Sequence, residues 1–399
     1  MQLIEGAEVL KLMVKSSHAR QIMERCHALG EVSDESDCLT RTFASPAMRR
    51  TNRMVASWMD SSGLQVRQDA AFNLIGRIQS SNPRAKCLVI GSHLDTVRNA
   101  GKFDGPLGVL IGLAVAQEMK GKKMPFHLEV VGFSDEEGVR YQTTYLGSRA
   151  MLGRLTKRDL SLIEEKGIEK AKRPQREFLA YLEAHIEQGP VLESQNIPLG
   201  VVTGIHGQTR ISVTFRGQAG HAGTTPMNLR HDALCGAAEV ILEAENSGMT
   251  ATVGQCEVVR SSSNVIPGQV LFTLDVRDSS DTRRRAACAA LREKALAVAQ
   301  RRGLKLQSWK IVQETSAIAM DNKVSRILQQ SAGAGVPMMP SGAGHDAAVM
   351  ARACPSAMLF IRCRKGVSHH PSESVKPSDV ASAVAAMART VLELARAYE

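Results

Sequence analysis

The stretch Cys87–Gly138, CLVIGSHLDTVRNAGKFDGPLGVLIGLAVAQEMKGKKMPFHLEVVGFSDEEG, decides the fold. It opens on an apolar run ending in Gly91-Ser92-His93 and passes through a glycine-punctuated loop, Gly101-Lys102-Phe103-Asp104-Gly105. A helical stretch, GVLIGLAVAQEMKG, follows, and then a second apolar run, FHLEVVGFS. Strand, helix, strand is the pattern of a parallel α/β unit. The right-handed crossover returns the second strand to the same edge of the sheet as the first. Ligands bind at the carboxyl ends of such strands, and here the ends carry His93-Leu94-Asp95 and Asp135-Glu136-Glu137.

Working outward, the chain closes on a similar unit: a helix in DAAVMARA, a buried strand in SAMLFIRC, and a long amphipathic helix from Lys376 onward with Pro377 and Ser378 at its start. Between the two ends, QTRISVTFRG alternates as a half-buried strand and NLRHDALCGAAEVILEAEN is helical. ATVGQCEVV and QVLFTLDVRD are strands, SDTRRRAACAALREKALAVAQRRG is helical, and LKLQSWKIV is a strand. The order β-α-β-β-α-β is that of a small ferredoxin-like α+β sandwich. The reading is an α/β protein with a mixed, mainly parallel sheet in residues 1–202 and 314–399, into which residues 203–313 are inserted. Residues 154–178, rich in charge, read as a mobile surface excursion, and Ala184–Gly189 reads as following a helical stretch.

At 399 residues the chain is about two to three times a typical domain, which agrees with that division. A content of 43% hydrophobic and 23% charged residues excludes disorder as the main state. The longest apolar run, Leu107–Ala116, is far shorter than the roughly 20 residues a bilayer span needs, so no membrane association is expected. The N-terminal stretch MQLIEGAEVLKLMVKSSHARQ has acidic residues where a secretory signal would be apolar, so no such signal is expected and a cytoplasmic location is. The formal charge of +10 invites a nucleic-acid partner, but Lys and Arg are scattered, and Arg283, Arg284 and Arg285 fall on what reads as an exposed helix. An aromatic content of 4% leaves few stacking platforms. No nucleic-acid partner is expected. The eight cysteines form no CxxC pair and suit reduced thiols, which excludes zinc-finger chemistry.

Further histidines join the first two clusters: His185 in Ala184-His185-Ile186-Glu187-Gln188-Gly189, and His369 and His370 after the strand SAMLFIRC. Imidazole and carboxylate are the ligands that Zn, Mn, Co or Ni accept, and a carboxylate such as Asp104 can bridge two ions. Two ions roughly 3.5 to 4 Å apart need a bridge, further ligands on each, and a base for the water between them. The chain offers all of these. Taken singly, His93 is equally readable as a satisfied core histidine and Glu136-Glu137 as a solvated turn. His18, His27, His127 and His231 have no partner pattern and read as structural, on helix or strand surfaces.

From about Thr40 onward the chain resembles the zinc-peptidase clan, and within it the amidase branch of N-carbamoyl-L-amino-acid hydrolases, allantoate amidohydrolases and β-ureidopropionases. The resemblance rests on GSHLDTVRNAGKFDGPLGV, DEEGVRY, TYLGSRAMLG, AHIEQGPVLE, GHAGTTPM, NVIPG, SGAGHDA and GVSHHPSE in that order. His185 stands where many peptidases of the clan have a carboxylate, which favours the amidase branch.

The resemblance implies two divalent ions, one held by His93, His185 and bridging Asp104, the other by Asp104, Glu137 and His369, with His370 as a neighbour. Glu136 would be the general base and Asp95 would orient His93. The inserted domain would dimerise, and His221 in GHAGTTPM would reach the metals of a second copy. Gln208, Asn264 and Arg277 would take the substrate's polar groups, Arg277 its carboxylate, for which a planar guanidinium suits better than lysine. An ion pair between Arg277 and Asp275 or Asp278 is the plainer reading of that arginine. His206 departs from a usually apolar position. His345 and Asp346 either build a helix start or contact substrate.

The implied activity is hydrolysis of a ureido C–N bond in a small anionic substrate, an N-carbamoyl-L-amino acid foremost and allantoate next. An aminopeptidase or deacylase, or a metal-bound sensor without turnover, are more distant readings. Glu136 weighs against the sensor, since binding needs no base.

Overall fold

In the computed structural model, residues 17–398 are described; the N-terminal stretch read above for a secretory signal lies outside them through residue 16. The described chain divides into two compact units, one running to Thr203 and resuming at Met320, the other Gly204–Ala319.

The first unit is built on β1 (Gln65–Gln68), β2 (Leu74–Ile78), β3 (Cys87–His93), β4 (His127–Phe133), β5 (Phe178–Ile186) and β6 (Leu199–Ile205). To these it adds β15 (Met338–Ser341) and β16 (Ser356–Ile361), numbered after the second unit's strands. They lie in the order β1-β2-β4-β3-β5-β16-β6, with β15 beside β6. The four central strands, β4, β3, β5 and β16, are parallel; β1, β2 and β6 are antiparallel to their neighbours. Every residue of β3, β4 and β16 is buried. That is why these strands read as continuous apolar runs: a parallel sheet is covered on both faces.

The helix Pro106–Met119 packs against β3, β4 and β5 and is buried almost all round. Pro106 opens it after Gly105, whose φ of 83° suits a residue without a side chain. A Cβ on Gly108 would run into the Ala184 carbonyl oxygen, so glycine lets the helix lie close on β5. The helix Pro377–Ala397 covers it, also touching Asn322–Ala332.

Two expectations fail in this unit. Residues 178–186 are strand β5 rather than the end of a helix. The segment FLAYLEAHI carries apolar groups at both helical and strand spacing because a central strand buries both its faces, which masks the period. Residues 154–178 are not a loose excursion. They hold the helix Lys157–Leu162, capped by Thr156 with Asp159 reaching back, and their Ile163, Ile168 and Ala171 pack with Phe43, Leu146 and Ala150. Arg173 sits buried against Glu129 at 2.7 Å, and Arg77 binds the same carboxylate at 2.6 Å. Two guanidiniums hold the Glu129 carboxyl below its usual range against the opposing effect of its burial.

The second unit carries β7 (Gly207–Arg216), β8 (Gly220–His221), β9 (Thr250–Thr252), β10 (Cys256–Val258), β11 (Val265–Ile266), β12 (Gln269–Asp278), β13 (Lys305–Thr315) and β14 (Ile318–Ala319). The antiparallel order is β10-β12-β7-β13, with β9 beside β12; β8 and β11 form a separate two-stranded ribbon. β12 alternates strictly between buried and half-buried residues. Its Val270, Phe272, Leu274 and Val276 form the core with Ile211, Val213 and Phe215 and with the helices Ala233–Glu245 and Asp281–Arg301. Asp232 and Ser280 cap those helices. β13 runs two residues past the expected limit of the insert, and β14 then pairs with the end of β6, Ile318 opposite Ile205. In the arginine run, Arg284 is fully buried rather than solvated: it donates to the Thr315 carbonyl at 2.7 Å and pairs with Glu314 at 3.1 Å. In the first unit, His127, read from the sequence as a surface histidine, is also buried, its Nδ1 accepting from the Ser80 amide at 3.0 Å.

Candidate metal centre

Parallel register brings the ends of β3, β4 and β5 together. His93 lies opposite Phe133, so the segment Ser134–Glu137 emerges beside His93-Leu94-Asp95. Asp95 ties the two ends: its Oδ1 accepts from the Glu136 amide at 3.0 Å and its Oδ2 from the Glu137 amide at 3.1 Å. The His93 Nδ1 lies 3.1 Å from the Asp95 carbonyl oxygen and 3.5 Å from its carboxylate. Asp95 thus touches the His93 ring chiefly through its backbone carbonyl, and its carboxylate also binds the amides of the two glutamates, which was not foreseen.

His185, on β5, donates Nδ1–H to the Ile186 carbonyl at 2.9 Å. Its Nε2 lies 3.5 Å from the His93 Nε2 and 3.1 Å from Asp104 Oδ1, with His93 Nε2 3.9 Å from the same oxygen. An Nδ1 against a carbonyl can only be a donor, so in each ring Nε2 is the nitrogen that faces Asp104 and, once deprotonated, can ligate an ion. On its other side, Asp104 Oδ2 lies 3.1 Å from the His369 Nε2, which is 3.2 Å from Glu137 Oε1. Among the described residues, His93, Asp104 and His185 form one group with ligand atoms mutually within 4.8 Å, Asp104, Glu137 and His369 another, and His93, Glu136 and Glu137 a third. His370 is exposed and pairs with Ser372 at 2.8 Å instead.

The electrostatics of the cluster favour added positive charge. Burial alone would lower the His93 imidazole, but Asp95, Glu136 and Asp104 carry it well above its ordinary value. Hydrogen bonds to Asp104 and Glu137 raise His369 to about 10. Burial would raise Asp104, yet His185 and His369 hold it well below the carboxylate range. Burial, with Glu137 beside it, pushes Glu136 well above that range. Imidazole Nε2 atoms converging on a carboxylate at the centre of a negative cluster are the donor set of borderline divalent ions, which would take the place of those protons. The residues therefore fit a divalent metal centre, with Asp104 common to two of the three groups.

A second layer supports this set. Gln188, whose backbone has a φ of 57°, lies with Nε2 3.3 and 3.2 Å from the two Asp104 oxygens. Ser368 donates to Asp104 Oδ2 at 2.9 Å, and Glu373 accepts from the backbone amides of Phe103 and Asp104. Burial, then Asp104, pushes Glu373 up to about 7, against the two amide hydrogen bonds that favour its charged form. Sequence reasoning missed these three; their one signal is adjacency to assigned ligands in HIEQG and GVSHHPSE. The His345 ring meets that of His185 at 4.5 Å between centroids, and its Nε2 lies 2.9 Å from Ser341 Oγ. Asp346 begins the short helix Ala347–Met350 and accepts from Ser148 at 2.6 Å. One further group outside the cluster, Glu35, Asp37 and Cys38, also has its ligand atoms close together, but Arg98 grips Glu35 at 2.8 Å.

The remaining sequence-derived candidates belong to the second unit and fall into two pairs. Gln208 and Arg277 are register partners on β7 and β12, and both bind Asp275: Gln208 Nε2 at 2.6 Å, the Arg277 fork at 3.0 Å on each oxygen. The ion pair weighed above for Arg277 is present. His221 and Asn264 share the β8–β11 ribbon, where the Ala222 amide donates to the Asn264 carbonyl at 3.0 Å; both side chains are exposed. His206 is half-buried in the turn between β6 and β7.

Comparison with known proteins agrees with this construction. The family model described as Peptidase family M20/M25/M40 matches residues 89–393. The chain is 39% identical over 403 residues to the N-carbamoyl-L-amino acid amidohydrolase of Geobacillus stearothermophilus, covering 94% of this chain and 98% of that one. It is 37% identical over 420 residues to an allantoate deiminase of Arabidopsis thaliana, covering 91% of this chain and 80% of that one. A crystal structure of a hydantoinase/carbamoylase family amidase from Burkholderia multivorans superposes with a TM-score of 0.88 at 31% identity, covering 94% and 98% of the two chains. With the motifs, the mixed sheet and the ligand cluster all in agreement, the chain belongs to peptidase family M20/M25/M40, in its branch of N-carbamoyl-L-amino acid amidohydrolases and allantoate deiminases.

Proposed function

We propose that the chain is a two-metal amidohydrolase that cleaves the ureido C–N bond of a small carboxylate, with N-carbamoyl-L-amino acids as the first substrate class. The observation that carries this reading is the convergence of His93, His185, His369 and Glu137 on Asp104, with Glu136 beside them. The substrate class comes from the named relatives, and the bacterial amidohydrolase is matched over nearly its whole length. Allantoate, which offers the same ureido and carboxylate groups, is the second reading, supported by the Arabidopsis relative.

When bound, two divalent ions (Zn, Mn, Co or Ni) would polarise the scissile carbonyl and lower the pKa of a water between them. His93, His185 and Asp104 would hold one, and Asp104, Glu137 and His369 the other. Glu136 is the base: it takes a proton from the attacking water and returns it to the leaving nitrogen. Arg277, oriented by Asp275, takes the substrate carboxylate, and Gln208 and Asn264 take its remaining polar groups. On this reading the second unit is a dimerisation domain, and His221 of the partner subunit donates to the developing oxyanion. The products from an N-carbamoyl amino acid are the free amino acid, carbon dioxide and ammonia. The cytoplasm is the proposed location, which eight cysteines without disulfides support.

The test is ammonia release by the metal-loaded chain from a panel of N-carbamoyl-L-amino acids and from allantoate. Turnover of dipeptides or N-acyl amino acids with no ammonia from any ureido substrate would refute the reading.

A further inference from the structure

We infer that Glu373 is the positioning residue for the bridging carboxylate: it clips the loop carrying Asp104 to the loop carrying His369. Glu373 is buried, at 5% exposure, and its Oε1 accepts from the backbone amides of Phe103 at 2.7 Å and Asp104 at 2.9 Å. Its Oε2 lies 3.3 Å from Ser368 Oγ, and that hydroxyl donates to Asp104 Oδ2 at 2.9 Å. One carboxylate thus holds the Asp104 backbone directly and lies against Ser368, the hydroxyl that donates to the Asp104 side chain. The residue after Ser368 is His369, so the same contacts set the spacing between the bridge and a terminal ligand of the second ion. The loop closes tightly on this group, since a Cβ at Gly101 would run into the Glu373 side chain.

Geometry of this kind has a use here that simple stability does not require. Two backbone amides pointing the same way need one acceptor at a fixed distance, and a bridging ligand must face two ions at once. Groups that orient metal ligands in this way typically affect affinity 10- to 100-fold when removed. Glu373 belongs to none of the groups whose atoms converge as candidate metal ligands, so its effect passes through Asp104.

The inference rests on the two-ion reading and is separable from it. Two conservative variants divide reach from charge: Glu373→Gln keeps the acceptor oxygen at the same distance and loses the charge, while Glu373→Asp keeps the charge and withdraws the acceptor by one methylene. The metal-free full-length chain would be titrated with Zn²⁺ and with Mn²⁺ against a chelating dye, and the metal-induced rise in Tm measured in parallel. Positioning predicts that E373Q binds within about threefold of wild type, and that E373D loses at least tenfold in affinity with a smaller metal-induced rise in Tm. E373D with wild-type affinity, or E373Q with the larger loss, overturns the inference while leaving the two-ion reading intact. A wild-type chain that binds no ion overturns both.

Discussion

The two regions proposed to carry the chemistry hold their side chains in opposite ways. In the first unit, His93, Asp104, Glu136 and His185 are all less than a tenth exposed; His93 and His185 end neighbouring buried strands and Glu136 follows a third, so strand register fixes where these three meet, while Asp104 lies on the loop before the helix Pro106–Met119. In the second, His221 lies on a ribbon of two-residue strands with Asn264 just before its other strand, and Gln208 and Arg277 lie on half-buried positions and both bind Asp275. Metal ligands must converge within tenths of an ångström on a point charge, and rigid elements do that best. Groups that greet a substrate tolerate looser support.

The comparison breaks most visibly at the rigid end. Asp104→Ala should abolish binding of both ions and with it turnover, whereas Glu136→Gln should keep the metal content and lose about 10²- to 10⁴-fold in kcat. Elemental analysis and steady-state rates on the two variants decide it: full metal content in D104A denies the bridge, and a wild-type rate in E136Q denies the base.

At the looser end, His221→Ala should cost about 10²- to 10³-fold, the usual loss of one oxyanion donor. Mixing H221A with E136Q should then restore activity, because each mixed dimer holds one site with both residues intact. With free exchange, about half the dimers are mixed and recovery approaches roughly a quarter of wild type. Demonstrated exchange without recovery would put His221 outside its partner's site. A smaller effect is expected of Arg277→Lys, which should lower kcat/KM at least tenfold for the acid and less for the corresponding amide. Equal losses on the two substrates would mean that Arg277 only supports the sheet through Asp275.

The mildest test concerns the far end of β4 from the metal centre. Glu129 has a folded pKa below its unfolded value, so its pairs with Arg77 and Arg173 contribute stability above the ordinary glutamate range that is lost as pH falls through the folded value. Tm should drop more steeply on acidification in wild type than in Glu129→Gln, which has no proton to take up at that site. Parallel slopes would remove Glu129 from the acid response.

Much of this was legible in the sequence because buried parallel strands announce themselves as apolar runs that end in polar residues. His93 and Glu136-Glu137 could be placed at strand ends from the order of elements alone. β5 hid for the same reason that it matters: with both faces buried, FLAYLEAHI has no period to read. Arg284 and Arg173 looked solvated because charge in a sequence says nothing of its partners, and theirs lie 30 and 44 residues away. The supporting roles of Gln188, Ser368 and Glu373 depend on distances across loops, which no local pattern encodes.

The clip from Phe103 to Glu373 joins residues 270 apart in the chain. During synthesis the ligands of the first group, His93, Asp104 and His185, have all emerged by the time β5 is made. The second group waits for His369 near the carboxyl end. A ribosome that stalls or a protease that cuts anywhere between leaves a fragment with half a centre and no clip. On the two-ion reading, binding of the second ion therefore requires a chain made at least as far as Glu373, beyond the strand Ser356–Ile361, and an assay of that ion counts molecules that have reached that point.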